Sequence, residues 1–331
     1  MNIQDVALRA GVSTATVSRT FSSPDKVTEE TRQRVQRIAA ELGYIPNSSA
    51  RVLRTRRSRT LGIVLPTLLN PVFSECLDGI ALAAQERDYA IMPITTDYVL
   101  ENEKMAVNRL IAANVDGLAL VVSNPADSPA LDMLQARKLP YVLIYNHHPG
   151  HPCITVDSES AVVEIVSRLV KHGHRSIAML AGQLSASDRA QQRYRGYLLG
   201  LEKHDISVPY LIEVPFMDAA IEKISDHLLK KNRPSALVCS NDLLAIRGMR
   251  AAYECRLSVP ADLSVVGFDG ITLGLDLTPQ LTTIVQPNME LGRQAIYTLA
   301  AAIDENATLT GSDSRILKYS VRRGESADIA P

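Results

Sequence analysis

The organisation of this chain is decided by residues 3–19, Ile3-Gln-Asp-Val-Ala-Leu-Arg-Ala-Gly-Val-Ser-Thr-Ala-Thr-Val-Ser-Arg19. Val6 and Ala10 lie four residues apart, which predicts a shared apolar face on a first helix. Gly11 can end that helix in a left-handed conformation, and Ser13 can cap a second helix with its hydroxyl. Small and cationic side chains then occupy the outer face of the second helix. This pattern predicts a helix-turn-helix, the motif whose second helix can enter the DNA major groove, although a helical hairpin without that function has a similar pattern.

A third helix and a basic segment follow, and they favour a DNA-binding function for the predicted helix-turn-helix. Thr28 can cap a helix whose first turn carries two glutamates and whose buried face contains Val35, Ile38 and Leu42. Residues 1–60 contain eleven Lys and Arg against five Asp and Glu, whereas the rest of the chain contains 24 against 31. A basic module joined to an acidic body is typical of a protein that binds a polyanion through that module.

Several strings in this segment resemble the DNA-binding head of the LacI/GalR family of bacterial transcription regulators. They are Asp5-Val6-Ala7, Ala10-Gly11-Val12-Ser13, Thr16-Val17-Ser18-Arg19, Val27-Thr28-Glu29-Glu30-Thr31-Arg32 and Leu42-Gly43-Tyr44-Ile45-Pro46-Asn47, followed by Ala50 and Leu53. The similarity continues almost to the C-terminus. It implies an effector-controlled DNA-binding regulator, most often a repressor, with a body of the periplasmic sugar-binding type.

The body shows its own pattern, in which short apolar runs alternate with helical segments. The runs are 61–65, 90–94, 117–122, 141–144, 177–181, 236–239 and 264–268, and the helices are 73–87, 102–113, 160–172, 191–204, 219–230 and 243–255. Continuous apolar runs indicate strands buried on both faces, and the alternation predicts parallel sheets with right-handed crossovers. We therefore expect an α/β body of two doubly wound parallel-sheet subdomains with a ligand cleft between them.

These observations and the resemblance together predict three segments. They are a helix-turn-helix domain at 1–45, a hinge helix and linker at 46–60, and an effector-binding and dimerisation domain at 61–331. Within the last, we expect an N-subdomain of about 61–157 and 287–317 and a C-subdomain of about 158–286 and 318–331.

Polar residues follow the apolar runs where a doubly wound sheet would bind its ligand. Each cluster alone is as well explained by turn chemistry, but several at equivalent strand ends favour a convergent site. The resemblance implies that Arg193 grips an effector hydroxyl or carboxylate, that Asp269 faces it and that Phe216 stacks. The candidate effector residues are Asn70, Phe73, Tyr145, Asn146, Arg193, Phe216, Asn241, Asp242 and Asp269.

One position departs from the family. Tyr145 stands where the family usually has Asp, which weakens the case for a neutral sugar. With Arg193 nearby, a sugar acid or a sugar phosphate becomes plausible. A purine or nucleoside effector is the alternative, because an aromatic ring with Arg and Asp would also hold a base.

In the basic head, roles are expected by residue type and by resemblance. Arg19 can donate a forked pair of hydrogen bonds to guanine, and the short Thr14 and Ala15 can meet a thymine methyl group. Leu53 in the hinge helix resembles the family leucine that wedges into the minor groove, and Ala50 permits close approach. Contacts to phosphates are expected from Thr16, Ser18, Asn47 and Arg51.

Other functional classes fit less well. A transport binding protein would not need the basic head, and a sugar-processing enzyme would need more than the Asp242 and Asp269 carboxylates. No nucleophile motif, phosphate loop or metal triad accompanies them, so no catalytic residue, cofactor or metal is predicted. His147, His148 and His151 are interpreted as a surface loop.

We also expect a cytoplasmic homodimer on a pseudo-palindromic operator. There is no run of about 18 apolar residues and no signal peptide at the N-terminus, and the four cysteines show no paired spacing. Residues 318–331 lack a leucine heptad, which predicts a dimer without a coiled-coil tetramerisation module.

Overall fold

The computed structural model describes residues 2–44, 57–216 and 218–328. The chain divides into two compact units, one ending at Ser58 and the other beginning at Arg59. We refer to them as the head and the body and describe each by itself.

Within residues 2–44, the head forms three α-helices, α1 (Ile3–Ala10), α2 (Thr14–Ser22) and α3 (Glu29–Glu41). The turn between the first two forms as its sequence predicts. Gly11 has φ +65°, and the Ser13 hydroxyl accepts a hydrogen bond from the Thr16 backbone N–H at 3.1 Å. Val6, Val17 and Val35, one from each helix, are fully buried and form the centre of a small apolar core.

The body contains two six-stranded sheets. The first has the order β11-β5-β4-β3-β1-β2 and the second β12-β10-β9-β8-β6-β7. All pairings are parallel except that of β10 with β12. The strands are β1 (Thr60–Leu65), β2 (Ala90–Thr95), β3 (Gly117–Leu120), β4 (Tyr141–Ile144), β5 (Cys153–Val156), β6 (Ile177–Gly182), β7 (Tyr210–Val214), β8 (Ala236–Cys239), β9 (Ser264–Asp269), β10 (Thr282–Val285), β11 (Arg315–Leu317) and β12 (Ser320–Arg322).

Helices cover these sheets. They are α4 (Pro71–Glu86), α5 (Leu100–Ala112), α6 (Pro129–Arg137), α7 (Ser158–Lys171), α8 (Asp188–Glu202), α9 (Ile221–Leu228), α10 (Asp242–Glu254) and α11 (Asn288–Glu305). Two pairs pack closely, α11 against α4 and α7 against α8. Glycine allows the first approach, since a Cβ at Gly79 would lie 2.0 Å from the carbonyl oxygen of Met289. The α/β body with two mostly parallel sheets confirms the predicted fold class.

One strand differs from its prediction. The run 90–94 suggested a strand buried on both faces, but β2 is the last strand of its sheet, and Ala90, Met92 and Pro93 are exposed. Proline supplies the physical reason, because it has no N–H for a second neighbouring strand and is therefore confined to sheet edges. Pro93 was the signal in the sequence for this edge position.

Candidate functional site

The outer surface of α2 carries the candidate base-reading residues of the head. Thr14, Ala15, Ser18 and Arg19 are exposed, whereas Thr16 is half-buried, with its hydroxyl 3.0 Å from that of Ser13. The exposed side chains are free to meet a groove, while Val17 and Thr20 hold the opposite face of the helix in the core. The other predicted DNA contacts lie outside the described residues. They are Asn47, Ala50, Arg51 and Leu53.

A pocket lies in the body at the carboxyl ends of strands from both sheets. Its lining residues are Asn70, Val72, Phe73, Tyr98, Tyr145, Ser187, Arg189, Ala190, Arg193, Phe216, Ser240, Asn241, Asp269 and Gln286. The cavity measures about 30 Å³, which is room for one or two water molecules. A ligand of sugar size therefore requires the two subdomains or the lining side chains to move apart.

Arg193 and Asp269 form the ionic centre of this pocket. Nη2 of Arg193 lies 3.2 Å from Oδ1 of Asp269, and Nη1 donates to the Ser240 carbonyl oxygen. The guanidinium also lies over the ring of Phe268, 3.7 Å from its centroid. Both charged side chains are almost fully buried, so their positions are fixed by these contacts rather than by solvent.

Burial raises the pKa of the Asp269 carboxyl to about 6, and the hydrogen bonds and charge around it oppose that rise. Arg193 gives the largest opposing contribution, and Asn70 and Gln286 donate hydrogen bonds. Gln286 Nε2 lies 2.9 Å from Oδ1 of Asp269. The carboxylate therefore remains the main negative group of the lining at neutral pH.

Tyr145 is a neutral member of the pocket lining. Its hydroxyl donates to the Val72 carbonyl oxygen at 3.1 Å and lies 3.3 Å from Oδ1 of Asn288. Its ring meets Phe73 edge to face, with centroids 5.9 Å apart. Because burial raises the pKa of this phenol well above its usual range, Tyr145 brings no charge to the site.

Two aromatic rings, one after a strand of each sheet, lie at the pocket. Tyr98, which follows β2, stacks on Phe216, which follows β7, with centroids 4.5 Å apart and planes 9° apart. The ring of Phe216 also lies close to Gly182, where a Cβ would be 2.1 Å from Cε1 of the ring. Phe216 therefore contacts both a glycine backbone and the Tyr98 ring.

Three residues of the pocket lining have a backbone conformation that side chains rarely adopt. Tyr98, Tyr145 and Asp269 have φ values of +60°, +65° and +115°, in the region that favours glycine. Asp97, next to Tyr98, has φ +54°. Strained backbone that persists is typical of ligand-binding sites, because the surrounding contacts hold the side chains in place.

The first turn of α8 is hydrogen-bonded to loops of the first sheet. The Asp188 backbone N–H donates to the Ser123 carbonyl oxygen at 2.8 Å, and Arg189 Nη1 donates to that of Val122 at 2.8 Å. Asn146 Nδ2 donates to Oδ1 of Asp188 at 2.6 Å. These bonds link an element of the second sheet to the loops that follow β3 and β4 of the first.

Two predicted effector residues lie behind the lining rather than in it. Asn146 is fully buried and also exchanges two hydrogen bonds with the Val122 backbone. Asp242 is fully buried, accepting from the Thr283 hydroxyl and from the Ile271 N–H. Burial raises the pKa of Asp242 to about 8. Both residues have internal partners, so their observed role is to hold the strand-end loops. The structure brings the remaining seven candidates together around the pocket.

Sequence reasoning missed several lining residues. Arg189 lies four positions before Arg193 on α8, so helical spacing was an available signal. Gln286 follows β10, but that strand contains two threonines and was not predicted. Tyr98 lies in a turn with two left-handed residues, and no sequence pattern predicted that it would line the pocket.

The loop that contains His148 and His151 makes contacts within the protein. His151 Nδ1 lies 2.6 Å from the Tyr141 hydroxyl, and its ring is 4.9 Å from that of His148. Among the described residues, no three His, Cys, Asp or Glu side chains are grouped as metal ligands would be. In the same part of the chain, no helix has both the length and the apolar character required to cross a membrane.

Comparison with known proteins identifies the family. Residues 2–47 match the model of bacterial regulatory proteins of the lacI family, and 166–326 match the periplasmic binding protein-like domain. The chain is 33% identical over 321 residues to the HTH-type transcriptional repressor CytR of Escherichia coli (strain K12), covering 95% of this chain and 93% of that repressor. The chain belongs to the LacI family.

Two further LacI-family proteins show how far the similarity extends. The HTH-type transcriptional repressor PurR of Aliivibrio fischeri (strain MJ11) is 31% identical, over 92% of each chain. The lac repressor dimer bound to operator and the anti-inducer ONPF matches with a TM-score of 0.87 at 29% identity, over 98% of each chain. These relatives are transcriptional repressors and not enzymes. The present chain is accordingly a LacI-family DNA-binding transcriptional repressor.

Proposed function

We propose that this LacI-family repressor binds a pseudo-palindromic operator as a homodimer and is controlled by a small carbohydrate-type effector. The effector would be a sugar, a sugar acid or a sugar phosphate, held in the pocket of the body. The main observation in support is the buried ion pair of Arg193 and Asp269, in a pocket that the ring of Phe216 also lines. A polyol needs both elements, since its hydroxyls require strong polar partners and its C–H face packs on an aromatic ring.

The DNA part of the proposal assigns roles to the exposed face of α2. Arg19 would read a guanine edge, Thr14 and Ala15 would contact neighbouring bases, and phosphates would be met by Thr16 and Ser18. One head offers few base contacts, so two heads on two half-sites would be needed for selectivity. The similarity to a repressor dimer bound to its operator supports this arrangement. Such a protein would act in the cytoplasm, where its operator lies.

Control of DNA binding would come from the angle between the two subdomains. The bonds from the first turn of α8 to the Val122 and Ser123 carbonyl oxygens fix one such angle. A ligand that binds one angle better than another shifts the population toward it, and operator affinity changes by the same coupling free energy. The ligand could release or strengthen DNA binding by this route.

A nucleoside or purine effector is the second candidate, and one observation favours it. The Tyr98 and Phe216 rings are parallel at 4.5 Å, so a planar base that displaced Tyr98 would find the Phe216 face already positioned. The lining also offers Arg193, Asp269 and Asn241 as hydrogen-bonding partners for a base.

The test begins with selection of DNA sites from a random double-stranded pool by the purified full chain. We expect enrichment of a two-fold symmetric site and a dimeric mass for the complex in sedimentation. Operator affinity is then measured with glucose, glucuronate, ribose, ribose 5-phosphate, adenosine and hypoxanthine. A response to the first four supports the carbohydrate class, and a response to the last two alone supports the alternative. Failure to enrich any sequence would overturn the proposal.

A further inference from the structure

Arg189 lines the pocket and is also bonded to the loop that follows β3. It lies in the first turn of α8, is 5% exposed and lines the pocket. Its Nη1 donates to the Val122 carbonyl oxygen at 2.8 Å and lies 3.1 Å from Oδ1 of Asp188. One nitrogen of the guanidinium is therefore committed to holding the two subdomains together.

The other terminal nitrogen of Arg189 is uncommitted. Nη2 is buried and has no hydrogen-bond partner within the described part of the chain. A buried cationic donor without an acceptor is costly, and a ligand acceptor would remove that cost. Arg193 differs, because both of its terminal nitrogens are occupied, by Ser240 and by Asp269, and only its Nε lacks a partner among these residues.

The charges around the pocket leave an excess of positive groups in its lining. Arg189 and Arg193 face a single lining carboxylate, Asp269, which is engaged with Arg193. Tyr145 is neutral, and burial raises the pKa of Asp242 to about 8, so that it is largely protonated at neutral pH.

Acidic side chains behind the lining offset part of this charge without occupying Nη2. Asp188 accepts hydrogen bonds from Asn146, from Gln192 and from the His147 backbone N–H. Glu103 accepts from the Ser123 backbone and hydroxyl. Oε2 of Glu103 is buried without a hydrogen-bond partner among the described residues, as are Nε of Arg193 and Nη2 of Arg189. Nη2 of Arg189 is the one terminal guanidinium nitrogen among these atoms, and Arg189 lines the pocket.

We propose that Nη2 of Arg189 receives an anionic group of the effector, so that the effector is acidic and carries a carboxylate or a phosphate on a hydroxylated ring. The inference rests on the proposed function, whose effector class it narrows. Binding at this nitrogen would also let the ligand influence the angle between the two subdomains. An anion at Nη2 holds the guanidinium whose Nη1 is bonded to Val122 of the other subdomain, so the closed arrangement is favoured when the acidic group is bound.

The experiment compares matched neutral and acidic compounds on the full chain. The pairs are glucose with glucuronate and ribose with ribose 5-phosphate, which separate a carboxylate from a phosphate, and inorganic phosphate is a probe without a sugar. Thermal unfolding is followed at constant ionic strength. We expect at least one acidic compound to raise the midpoint of the wild-type chain more than its neutral partner does. The acidic compound should bind about ten- to a hundredfold more weakly to Arg189→Met, the range for one hydrogen bond to a charged group.

Two variants control for folding and for general charge. Arg189→Lys retains a cation and should keep part of the acidic preference. Arg195→Met removes an exposed arginine of the same helix, paired with Glu159, and should keep all of it. The far-UV circular dichroism spectrum and the cooperativity of unfolding are measured for each variant without ligand. If Arg189→Met is misfolded by these measures, the comparison rests on the Lys variant.

The outcomes separate the two proposals. The inference is overturned if the neutral compounds bind equally well or better, or if the acidic preference survives in Arg189→Met. It is also overturned if no anion distinguishes the wild type from the Arg189 variants. If a neutral sugar controls operator binding, the proposed function stands and the acidic effector does not. If phosphate stabilises the wild type over Arg189→Met while no compound alters operator binding, the anion site stands and the proposed control fails.

Discussion

The ring of Tyr98 lies parallel to that of Phe216 at 4.5 Å, although the two residues follow strands of different sheets. The cavity that remains beside them measures about 30 Å³. If an effector stacks on Phe216 as proposed, the Tyr98 ring must first move away from it.

Replacement of Tyr98 by alanine should lower the free energy of unfolding of the body by about 1–3 kcal/mol, because the stack and its buried area are lost. Chemical denaturation of the full chain measures this loss. Tyr98→Phe is the matched control and should stay within about 0.5 kcal/mol of the wild type, since the stack needs only the ring. Equal destabilisation by both variants would show that the hydroxyl, and not the stack, matters.

Gly182→Ala should displace the side chain of Phe216, because the new Cβ would lie 2.1 Å from its ring. We expect a loss of about 1–3 kcal/mol from overpacking and a displaced Phe216 ring in a structure of the variant. Gly248→Ala is a milder control, as its Cβ would meet a Leu237 methyl group at 3.2 Å. An undisplaced Phe216 ring in the Gly182 variant would contradict the assigned contact.

Asp242 should make stability fall as the pH rises. Burial raises its pKa from 3.8 to about 8 in the fold, so the folded chain holds a proton that the unfolded chain releases above about pH 4. Stability from this group is therefore present at low pH and lost up to about pH 8. Asp269, with a pKa of about 6, adds to the loss between about pH 4 and 6.

Asp242→Asn should flatten this pH profile, since the amide imitates the protonated acid. We expect the difference in unfolding free energy between pH 5 and pH 8 to shrink by more than about 1 kcal/mol, the value of one pKa unit. Urea denaturation at the two pH values measures it. An unchanged difference would mean that Asp242 is ionised in the fold across this range.

Arg19→Ala should relax the preference at one base pair of the selected operator, at a cost of about 1–3 kcal/mol in discrimination. Arg19→Lys keeps the charge but loses the forked donor pair, so it should relax the same position while retaining more overall affinity. Competition binding with single-base operator variants measures both. Arg37→Ala, an exposed arginine of α3, is the control and should leave base preference unchanged.

Asn146→Ala should act on stability rather than directly on a ligand. The variant leaves the Val122 backbone and Asp188 without their partner, which predicts a loss of about 2–4 kcal/mol. Asp269→Asn should instead weaken effector binding, because Asp269 lines the pocket. Calorimetric binding together with denaturation separates the two effects, and a direct ligand contact at residue 146 in a liganded structure would contradict this division.

Much of the fold was predictable because its central strands are continuous apolar runs. β1, β4 and β8 are buried along nearly their whole length, so their apolar sequences identify them as strands. β10 was not predicted, since it begins with Thr282 and Thr283, polar residues made compatible with burial by distant partners. Thr283 donates to Asp242, and Thr282 accepts from the Gly324 N–H.

The candidate site could be predicted only in part, because its side-chain positions also depend on distant partners. Strand ends and family resemblance pointed to Arg193 and Asp269, which the structure pairs at 3.2 Å. They gave no means of separating Asn241, which lines the pocket, from the adjacent Asp242, which faces inward. That distinction depends on side-chain direction at a strand end, which only tertiary contacts determine. The ligand roles of these residues stay predictions.

The hydrogen bond from Arg189 to the Val122 carbonyl oxygen has a consequence for how such a repressor can change its specificity. If Arg189 binds the effector as proposed, a mutation at this arginine changes which ligand is recognised and, at the same time, removes a hydrogen bond between the two halves of the body. New ligand preferences that arise here therefore come with a shifted basal level of repression, and a second substitution elsewhere in the body is needed to restore it.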